Sequence, residues 1–318
     1  MRILITGAYG FVGKNLSSYL ASKGHQLVAL DVARTDGAAY SEHFTWDDLS
    51  KLGWQRIDAV VHLAGKAHDT RGADDPGLYQ KINVGLTEKI VEALLSFGGE
   101  RPLSFVLFSS VKAVADQVEG ILSEEAAPAP KTAYGLSKLA AEQVVLSKLT
   151  GRPAGTRYYI LRPCMIHGPG NKGNLNLLYG VVSRGLPWPL GAFENRRSMA
   201  SVDNVCAVVE GLLSGPAPSG VYQVADDEVV STNELIGLMA AARGRTPRIW
   251  RLPAWLFGAF ARVGDVFRLP LNSERLKKLT ESYIVSNAKI KAALGWERMP
   301  VRAADGLRKT LASFVNEQ

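Results

Sequence analysis

Cysteine is scarce in this sequence, and long apolar runs are absent from it. Of the 318 residues only Cys164 and Cys206 are cysteines, and no Cys-x-x-Cys pair occurs. This excludes a disulfide framework and argues against a zinc centre, so we predict buried free thiols and no metal site. No apolar stretch reaches the roughly 20 residues of a membrane-spanning helix. The apolar run at residues 2–6 is also too short for a signal peptide, and we expect a cytoplasmic protein.

Strong compositional bias is lacking as well. Apolar residues make up 47% of the chain and charged residues 21%, which excludes intrinsic disorder and fibrous repeats. The formal net charge of +7 suits an anionic ligand such as a nucleotide diphosphate, and it would also suit nucleic acid or a membrane surface. Charge alone does not choose among these three classes of partner.

Short β-branched apolar runs alternate with longer amphipathic stretches through the first half of the chain. This alternation predicts successive βαβ units around a doubly wound parallel sheet, the Rossmann-like α/β class. Candidate strands lie at 2–6, 26–30, 59–63, 104–109 and 158–162, and candidate helices at 10–23, 79–97 and 133–148. Beyond Pro163 the pattern loosens into glycine- and proline-rich loops with short helices. We therefore predict a dinucleotide-binding domain over 1–163, completed by a later strand near 221–224, and mostly a smaller α/β substrate lobe over 164–318.

A glycine-rich segment, Gly-Ala-Tyr-Gly-Phe-Val-Gly at 7–13, follows the first candidate strand and opens the first candidate helix. Glycines at this junction permit a tight turn and let the backbone approach a pyrophosphate, which N–H groups at the helix start can bind. Asp31 ends the second strand, where its carboxylate can accept hydrogen bonds from the adenosine ribose. A 2′-phosphate would meet this negative charge, which favours NAD, whereas Arg34 could pair with that phosphate and keeps NADP open. The cofactor contacts predicted from these segments are Gly7, Tyr9, Gly10, Phe11, Val12, Gly13, Asp31 and Arg34.

Tyr134 and Lys138 are four residues apart, a spacing that places both side chains on one face of a helix. A nearby ammonium stabilises a phenolate, so we predict that Lys138 lowers the pKa of Tyr134 toward the working range of an acid/base catalyst. Ser109 and Ser110 end the fourth candidate strand, at the carboxyl edge where open parallel sheets bind ligands. A serine hydroxyl can therefore meet the tyrosine over a substrate carbonyl.

Further motifs follow one another along the chain. They are His62-Leu63-Ala64-Gly65, Asn83, Arg162-Pro163, His167-Gly168-Pro169 and the segment 197–203. Together with the glycine segment and the Tyr/Lys pair, they make the chain resemble an extended short-chain dehydrogenase/reductase of the nucleotide-sugar epimerase/dehydratase family. The resemblance implies that Ser110, Tyr134 and Lys138 are catalytic. It adds, as cofactor contacts, Leu63, Ala64, Gly65, Asn83, Ser109, Tyr134, Lys138 and Pro163, and, as substrate contacts, Lys112, Asn174, Arg197 and Arg275.

Departures from the family pattern narrow the implied activity. Where the family's 4,6-dehydratases carry Asp-Glu after the catalytic Ser/Thr, this chain has Val111 and Lys112, which cannot supply the acid and base for water elimination. The Ser-Ser-Val-Lys run is instead similar to bacterial reductases of 4-keto-6-deoxy nucleotide sugars for surface polysaccharides such as O-antigen. This resemblance implies reduction of UDP-4-keto-6-deoxy-N-acetylglucosamine at C4, giving UDP-N-acetylquinovosamine or its C4 epimer.

Two other functions stay open at this point. A UDP-hexose 4-epimerase, acting on UDP-glucose or UDP-N-acetylglucosamine, would use the same three residues with a tightly retained NAD. A non-catalytic dinucleotide-binding regulator is the remote alternative, because it would not need an intact Ser/Tyr/Lys set. The resemblance implies a homodimer formed through the helices at 79–97 and 133–148, and we expect no nucleic-acid partner. The basic, tryptophan-containing stretch at 248–269 is interpreted as a packed wall of the substrate lobe, with peripheral membrane contact as the alternative.

Overall fold

Seven parallel strands, most of them buried and apolar, form a central sheet. A computed structural model describes residues 1–35, 39–67, 75–97, 103–152, 156–253, 255–258, 265, 276–277 and 280–316. The strands in chain order are β1 (Arg2–Thr6), β2 (Gln26–Asp31), β3 (Glu42–Thr45), β4 (Ala59–His62), β5 (Ser104–Phe108), β6 (Ile121–Leu122), β7 (Arg157–Pro163), β8 (Met165–His167), β9 (Met199–Ser201), β10 (Gly220–Val224) and β11 (Ile284–Val285). The central sheet has the order β10-β7-β5-β4-β1-β2-β3, while β6 pairs with β11 and β8 with β9.

Helices cover both faces of the central sheet. In chain order they are α1 (Phe11–Ser22), α2 (Pro76–Tyr79), α3 (Gly85–Phe97), α4 (Ala133–Leu149), α5 (Asn174–Ser183), α6 (Val202–Ser214), α7 (Thr232–Ala242), α8 (Ala288–Leu294) and α9 (Ala303–Asn316). A π-helical turn at Gln80–Val84 joins α2 to α3. The helix predicted at 79–97 is therefore longer and begins at Pro76, where Asp75 caps the first turn.

The chain reverses direction across the sheet after β3. From β1 it runs outward through β2 to β3, then crosses to β4 on the other side of β1 and continues outward to β5, β7 and β10. Ligands of open α/β sheets bind outside the carboxyl ends of the strands at such a switch point. The sequence pattern does not predict β3, because its four residues are all half-buried and form no apolar run. The run at 221–224 lies in β10, where Val221 is opposite Ile160 of β7.

Alternate residues of β1 face opposite sides of the sheet, as strand geometry requires. Ile3 and Ile5 pack in one apolar cluster with residues of α1 and α6, whereas Leu4 packs in a second cluster with residues of α3 and α4. All three side chains are fully buried. Both faces of the sheet are thus covered by helices, which confirms the doubly wound α/β class predicted from the sequence.

A third apolar cluster lies in the second half of the chain, where α5, α7 and α9 pack with Trp188 and Leu190. Of the stretch 248–269, Phe257 packs in this cluster, but Trp250 and Trp255 are 54% and 73% exposed. The packed-wall interpretation is therefore wrong for these two tryptophans, and much of the stretch lies outside the described residues. Within the described ranges every helix is too short or too polar to span a bilayer.

Buried polar contacts tie the last helix to the rest of the fold. His167 at the end of β8 is fully buried, and its Nδ1 lies 2.9 Å from Oγ1 of Thr310 in α9. Its Nε2 lies 3.5 Å from a carboxylate oxygen of Asp226, which is also buried. These contacts give His167 a supporting role in the fold.

Cys164 and Cys206 are buried free thiols, as predicted.

Candidate active site

The loop between β1 and α1 is shaped by two of its glycines. Gly7 has a φ of +65°, and a Cβ at this position would lie 2.8 Å from the backbone nitrogen of Ala64. A Cβ on Gly13 would lie 2.5 Å from the carbonyl oxygens of both Gly7 and Ala8. A larger residue at either position would require the backbone to shift. Gly7 lets the loop lie this close to the end of β4, and Gly13 lets the start of α1 lie against the loop.

The start of α1 offers backbone donors beside this loop. Its N-cap is Gly10, which has no side chain to accept a hydrogen bond, and the first turn contains no acidic residue. Phe11, Val12 and Gly13 begin the helix, so their N–H groups have no partner within it. Together with the helix dipole, these groups favour an anion such as a pyrophosphate. The glycine cradle and the uncapped helix start therefore fit a dinucleotide.

Asp31 ends β2 next to the same loop. Its Oδ2 accepts the N–H of Tyr9 at 3.0 Å, and its Oδ1 accepts the N–H of Val32 at 2.8 Å. These bonds fix the carboxylate at the carboxyl edge of the sheet, where a ribose of a dinucleotide would lie. The ring of Tyr9 stacks on His43 of β3. Arg34 lies three residues beyond β2 and is exposed.

Buried polar contacts hold the turn next to the loop; Thr6 and Thr87 were not predicted to take part, and His62 was noted only as the first residue of the His62-Leu63-Ala64-Gly65 motif. Oγ1 of Thr6 lies 2.6 Å from Nδ1 of His62 and accepts the N–H of Ala64 at 3.1 Å. Nε2 of His62 lies 3.0 Å from Oγ1 of Thr87 in α3. Burial lowers the pKa of His62 to about 3, and the charge of Lys138 acts in the same direction. His62 is thus a neutral residue that holds the turn after β4 in place.

The turn after β4 approaches the helix that carries the predicted catalytic pair. Asn83 in the π-helical turn is buried; its Oδ1 accepts the N–H of Lys66 at 2.8 Å, and its Nδ2 donates to Oγ of Ser137 at 2.9 Å. A Cβ on Gly65 would lie 2.9 Å from Oδ1 of Asn83 and 3.1 Å from Nζ of Lys138. Gly65 therefore permits a close approach that any side chain would obstruct.

Ser110 and Tyr134 are joined by a hydrogen bond between their side chains. Ser110 follows β5 and begins the 3₁₀ turn Val111–Ala113, where its Oγ accepts the N–H of Lys112 at 3.2 Å. Tyr134 lies in the first turn of α4, whose N-cap Thr132 accepts a backbone N–H of that turn. A strand end and a capped helix start thus place the two hydroxyl groups together.

The prediction that Lys138 lowers the pKa of Tyr134 is wrong. Burial raises the pKa of Tyr134 above its ordinary value, Tyr79 adds to the rise, and the hydrogen bond from Ser110 partly opposes it. The ring of Tyr79 lies edge-on to that of Tyr134, with 5.9 Å between the centroids. Tyr134 is therefore a neutral phenol near neutral pH, which is the form that a proton donor requires.

Lys138 is buried one helical turn beyond the tyrosine. Its Nζ donates to the carbonyl oxygen of Phe108 at 2.9 Å, and burial lowers its pKa to about 8 against the opposing charge of Glu142. Glu142, a further turn along α4, is fully buried and accepts two hydrogen bonds from Arg162 at 2.6 and 2.9 Å. It also accepts the hydroxyl of Ser109. Glu142 was not predicted from the sequence, although its spacing of four from Lys138 was an available signal.

The other predicted cofactor contacts lie at the same carboxyl edge of the sheet. Leu63 and Ala64 follow β4, Ser109 follows β5, and Pro163 ends β7. The fold therefore brings the glycine loop, these strand ends and the three predicted catalytic residues to one edge. No group of His, Cys, Asp and Glu side chains within the described ranges could hold a metal ion.

Lys112 and Asn174, two of the predicted substrate contacts, lie in different environments. The amino group of Lys112 lies 4.1 Å from the centroid of the Tyr283 ring and donates to the carbonyl oxygen of Asp116 at 2.8 Å. Asn174 is exposed at the first position of α5. Arg275 lies outside the described residues. The structure thus gives Lys112 protein contacts close to Ser110 and leaves Asn174 at the surface.

Arg197, a third predicted substrate contact, is half-buried where three segments meet. Its backbone forms isolated bridges to Val230 and to Tyr283, and its Nε donates to the carbonyl oxygen of Glu281 at 3.3 Å. Burial lowers the pKa of its guanidinium. The arginine therefore has a defined position next to the C-terminal segment.

A model of the NAD-dependent epimerase/dehydratase family matches residues 3–224, which include the glycine loop, Ser110, Tyr134 and Lys138. The chain belongs to this family. The match confirms the resemblance that the sequence motifs indicated. It runs from Ile3 in β1 to the end of β10 and so includes residues of all seven strands of the central sheet.

Family relatives extend the likeness over the remaining residues. UDP-glucose 4-epimerase of Vibrio cholerae is 30% identical over 329 residues, which cover 98% of this chain and 95% of that protein. UDP-2-acetamido-2,6-beta-L-arabino-hexul-4-ose reductase of Pseudomonas aeruginosa is 26% identical over 240 residues, covering 74% of this chain and 56% of that protein. The structure of the Thermus thermophilus UDP-glucose 4-epimerase complex with NAD superposes with a TM-score of 0.77 at 23% identity, covering 100% of both chains.

Proposed function

We propose that this protein reduces the C4 keto group of a UDP-4-keto-6-deoxy-N-acetylhexosamine with NADH or NADPH. The product would be UDP-N-acetylquinovosamine or its C4 epimer, for O-antigen or another surface polysaccharide. The observation that carries the proposal is the hydrogen-bonded Ser110/Tyr134 pair with Lys138 buried beside it, at the edge of the sheet that fits a dinucleotide. Val111 and Lys112 offer no acid and base for dehydration. The similarity to a Pseudomonas aeruginosa reductase of a UDP-hexulose supports the reaction class.

Each of the three residues has a separate task in this reaction. Tyr134 donates its phenolic proton to the oxygen at C4 as the alcohol forms, and Ser110 hydrogen-bonds the same oxygen. Lys138, with a pKa of about 8, is mostly protonated at neutral pH and would hold the nicotinamide ribose. The chemistry supplied by a bound reduced nicotinamide is the hydride that the C4 carbon receives. Hydride and proton together would convert the ketone to the alcohol, and exchange of the oxidised for a reduced dinucleotide would complete the turnover.

The binding residues follow from the same geometry. The N–H groups at the start of α1 would hold the pyrophosphate, and Asp31 would accept hydrogen bonds from the adenosine ribose, which favours NAD. Arg34 is exposed close to this position and could pair with the 2′-phosphate of NADP. Arg197 would bind the diphosphate of the UDP-sugar, because the fork of a guanidinium matches phosphate oxygens.

Oxidation of NADH or NADPH at 340 nm with enzymatically generated UDP-4-keto-6-deoxy-N-acetylglucosamine tests the proposal directly. The wild-type protein should oxidise one of the two cofactors. Tyr134→Phe should lower the rate by about 10²–10⁴, because it removes the proton donor while keeping the ring. Retained turnover in this variant would refute the assignment of Tyr134.

A UDP-hexose 4-epimerase is the second candidate, favoured by the 30% identity to the Vibrio cholerae enzyme over almost the full chain. Such an enzyme keeps its NAD through the catalytic cycle, whereas a reductase must exchange the dinucleotide at every turnover. The absorbance of the purified protein distinguishes the two. Bound dinucleotide together with no oxidation at 340 nm would support the epimerase, and a dinucleotide-free protein that oxidises NADH would support the reductase.

A further inference from the structure

Residues 281–285 lie against the segment that carries Arg197. The N–H of Tyr283 donates to the carbonyl oxygen of Arg196 at 2.8 Å, and the N–H of Ser198 donates to the carbonyl oxygen of Tyr283 at 2.9 Å. The two bonds flank Arg197 on either side along the chain. The backbone of Tyr283 is therefore fixed by the same segment that positions Arg197, the residue predicted to bind the diphosphate.

The side chain of Tyr283 reaches in the opposite direction, to the turn that follows Ser110. Its hydroxyl donates to the carbonyl oxygen of Ala115 at 2.7 Å. Its ring lies beneath the amino group of Lys112, with 4.1 Å between Nζ and the ring centroid. Tyr283 is only 9% exposed, so water competes little for this cation–π contact. One buried residue thus touches the turn at two points.

The same turn sets the geometry of the predicted catalytic pair. The Oγ of Ser110 accepts the backbone N–H of Lys112, whose amino group donates to the carbonyl oxygen of Asp116. The carboxylate of Asp116 in turn accepts the N–H and the hydroxyl of Thr132. Thr132 is the N-cap of α4, the helix that carries Tyr134 in its first turn. A displacement of Lys112 would therefore also shift Ser110 and the start of α4.

We propose that Lys112 and Tyr283 are positioning residues, a clamp through which the segment at Arg197 holds the Ser110 turn in its reactive geometry. The inference rests on the proposed function for its kinetic consequence but not for its structural one. Lys112, which was predicted from the sequence to contact substrate, acts in this proposal through Ser110 instead. A positioning residue affects the chemical step, so its loss should lower kcat and leave KM nearly unchanged.

Kinetic measurements on four variants of Lys112 and Tyr283 test whether kcat falls while KM stays nearly unchanged. Lys112→Met removes the cation and Tyr283→Leu removes the ring, and each should lower kcat by about 10–100-fold with KM for the UDP-sugar within about twofold. Tyr283→Phe keeps the ring and loses the hydroxyl bonds to the carbonyl oxygens of Ala115 and Val111, so it should fall between these variants and the wild type. Lys112→Arg keeps a cation over the ring and should recover most of kcat. A tenfold rise in KM with unchanged kcat would instead make Lys112 a substrate contact and overturn the proposal.

Lys289 provides a matched control for these variants. Its amino group also lies over a tyrosine ring, 5.3 Å from the centroid of Tyr222, and this ring belongs to β10, where Tyr222 contacts Pro218 and Tyr159. Lys289→Met should therefore retain both kcat and KM. An equal loss in this variant would mean that any lysine–tyrosine contact of the fold matters as much, and the clamp would have no special role.

Amide hydrogen exchange tests whether Tyr283 holds the Ser110 turn in place, and it needs no enzymatic turnover. The peptide covering 109–116 should exchange faster in Tyr283→Leu than in the wild type, because the variant loses the ring and hydroxyl contacts that hold this turn. If the wild type reduces no 4-keto sugar, the proposed function fails while this comparison still tests the clamp. Equal exchange of the peptide in the two proteins would refute it.

Discussion

Replacing Lys138 with methionine should change how the stability of the protein depends on pH. The lysine is only 8% exposed, and burial lowers the pKa of its amino group from 10.5 to about 8. The folded protein therefore holds this proton less tightly than the unfolded chain does. A fall of this size corresponds to about 3 kcal/mol, at about 1.36 kcal/mol for each pH unit.

The direction of the effect follows from the two pKa values. Below pH 8 the lysine is charged in both states, and the folded state carries the full cost of burying the charge. Between pH 8 and 10.5 the folded state releases the proton before the unfolded state does, so the free energy of unfolding rises with pH. The wild type should thus gain about 2 kcal/mol relative to Lys138→Met between pH 7 and 9.5.

Urea denaturation of both proteins at pH 7, 8, 9 and 9.5 measures this difference. Subtracting the two curves removes the contribution of the buried tyrosines, whose raised pKa values are common to both. Lys148→Met is the matched control, because Lys148 is exposed on the same helix and its removal should give no such slope. A difference between wild type and Lys138→Met that stays flat over this range would refute the assignment of a depressed pKa to Lys138.

Three further substitutions test other parts of the site. Gly13→Ala would place a Cβ 2.5 Å from two backbone oxygens and should weaken dinucleotide binding, followed by protein fluorescence, by about tenfold or more; unchanged affinity would exclude the loop as the binding site. Asp31→Asn removes the negative charge near the ribose and should shift the ratio of kcat/KM values for NADH and NADPH about tenfold toward NADPH, and an unaltered ratio would count against the role of Asp31. Glu142→Gln leaves Arg162 buried without its counter-charge and should cost about 3–5 kcal/mol in urea unfolding, whereas a loss below about 1 kcal/mol would contradict the importance of this pair.

The central sheet could be predicted from the sequence because its strands are buried on both faces. Such strands form continuous apolar runs, and those of β1, β4 and β5 stand out between amphipathic helices. β3 has no such run, because Glu42–Thr45 lies half-buried at the sheet edge and depends on pairing with β2 for its conformation. The π-helical turn at Gln80–Val84 is equally invisible, since it differs from an α-helix by a hydrogen-bond pattern that the residue sequence does not record.

The candidate site was predictable where chemistry demands a fixed spacing. Glycines at a strand-to-helix turn and a tyrosine four residues before a lysine are such cases. Contacts between distant segments carry no comparable signal. The partner of Lys112 is Tyr283, which is 171 positions further along the chain. The sign of the pKa change at Tyr134 could not be read from the spacing either, because burial in the surrounding fold is its largest cause and raises the pKa.

The raised pKa of Tyr134 bears on the choice between reductase and epimerase. A reductase begins each turnover by donating a proton, so a phenol that stays protonated at neutral pH is ready for the reaction. A 4-epimerase begins by removing a proton from the C4 hydroxyl, which requires the phenolate and hence a strong opposing charge at the phenol. In this fold the amino group of Lys138 donates to the carbonyl oxygen of Phe108, and burial has lowered its own affinity for a proton. Tyr134 is therefore protonated at the start of the proposed reduction; an epimerase also donates a proton in its second half-reaction, so the choice between the two enzymes rests on the cofactor assay at 340 nm.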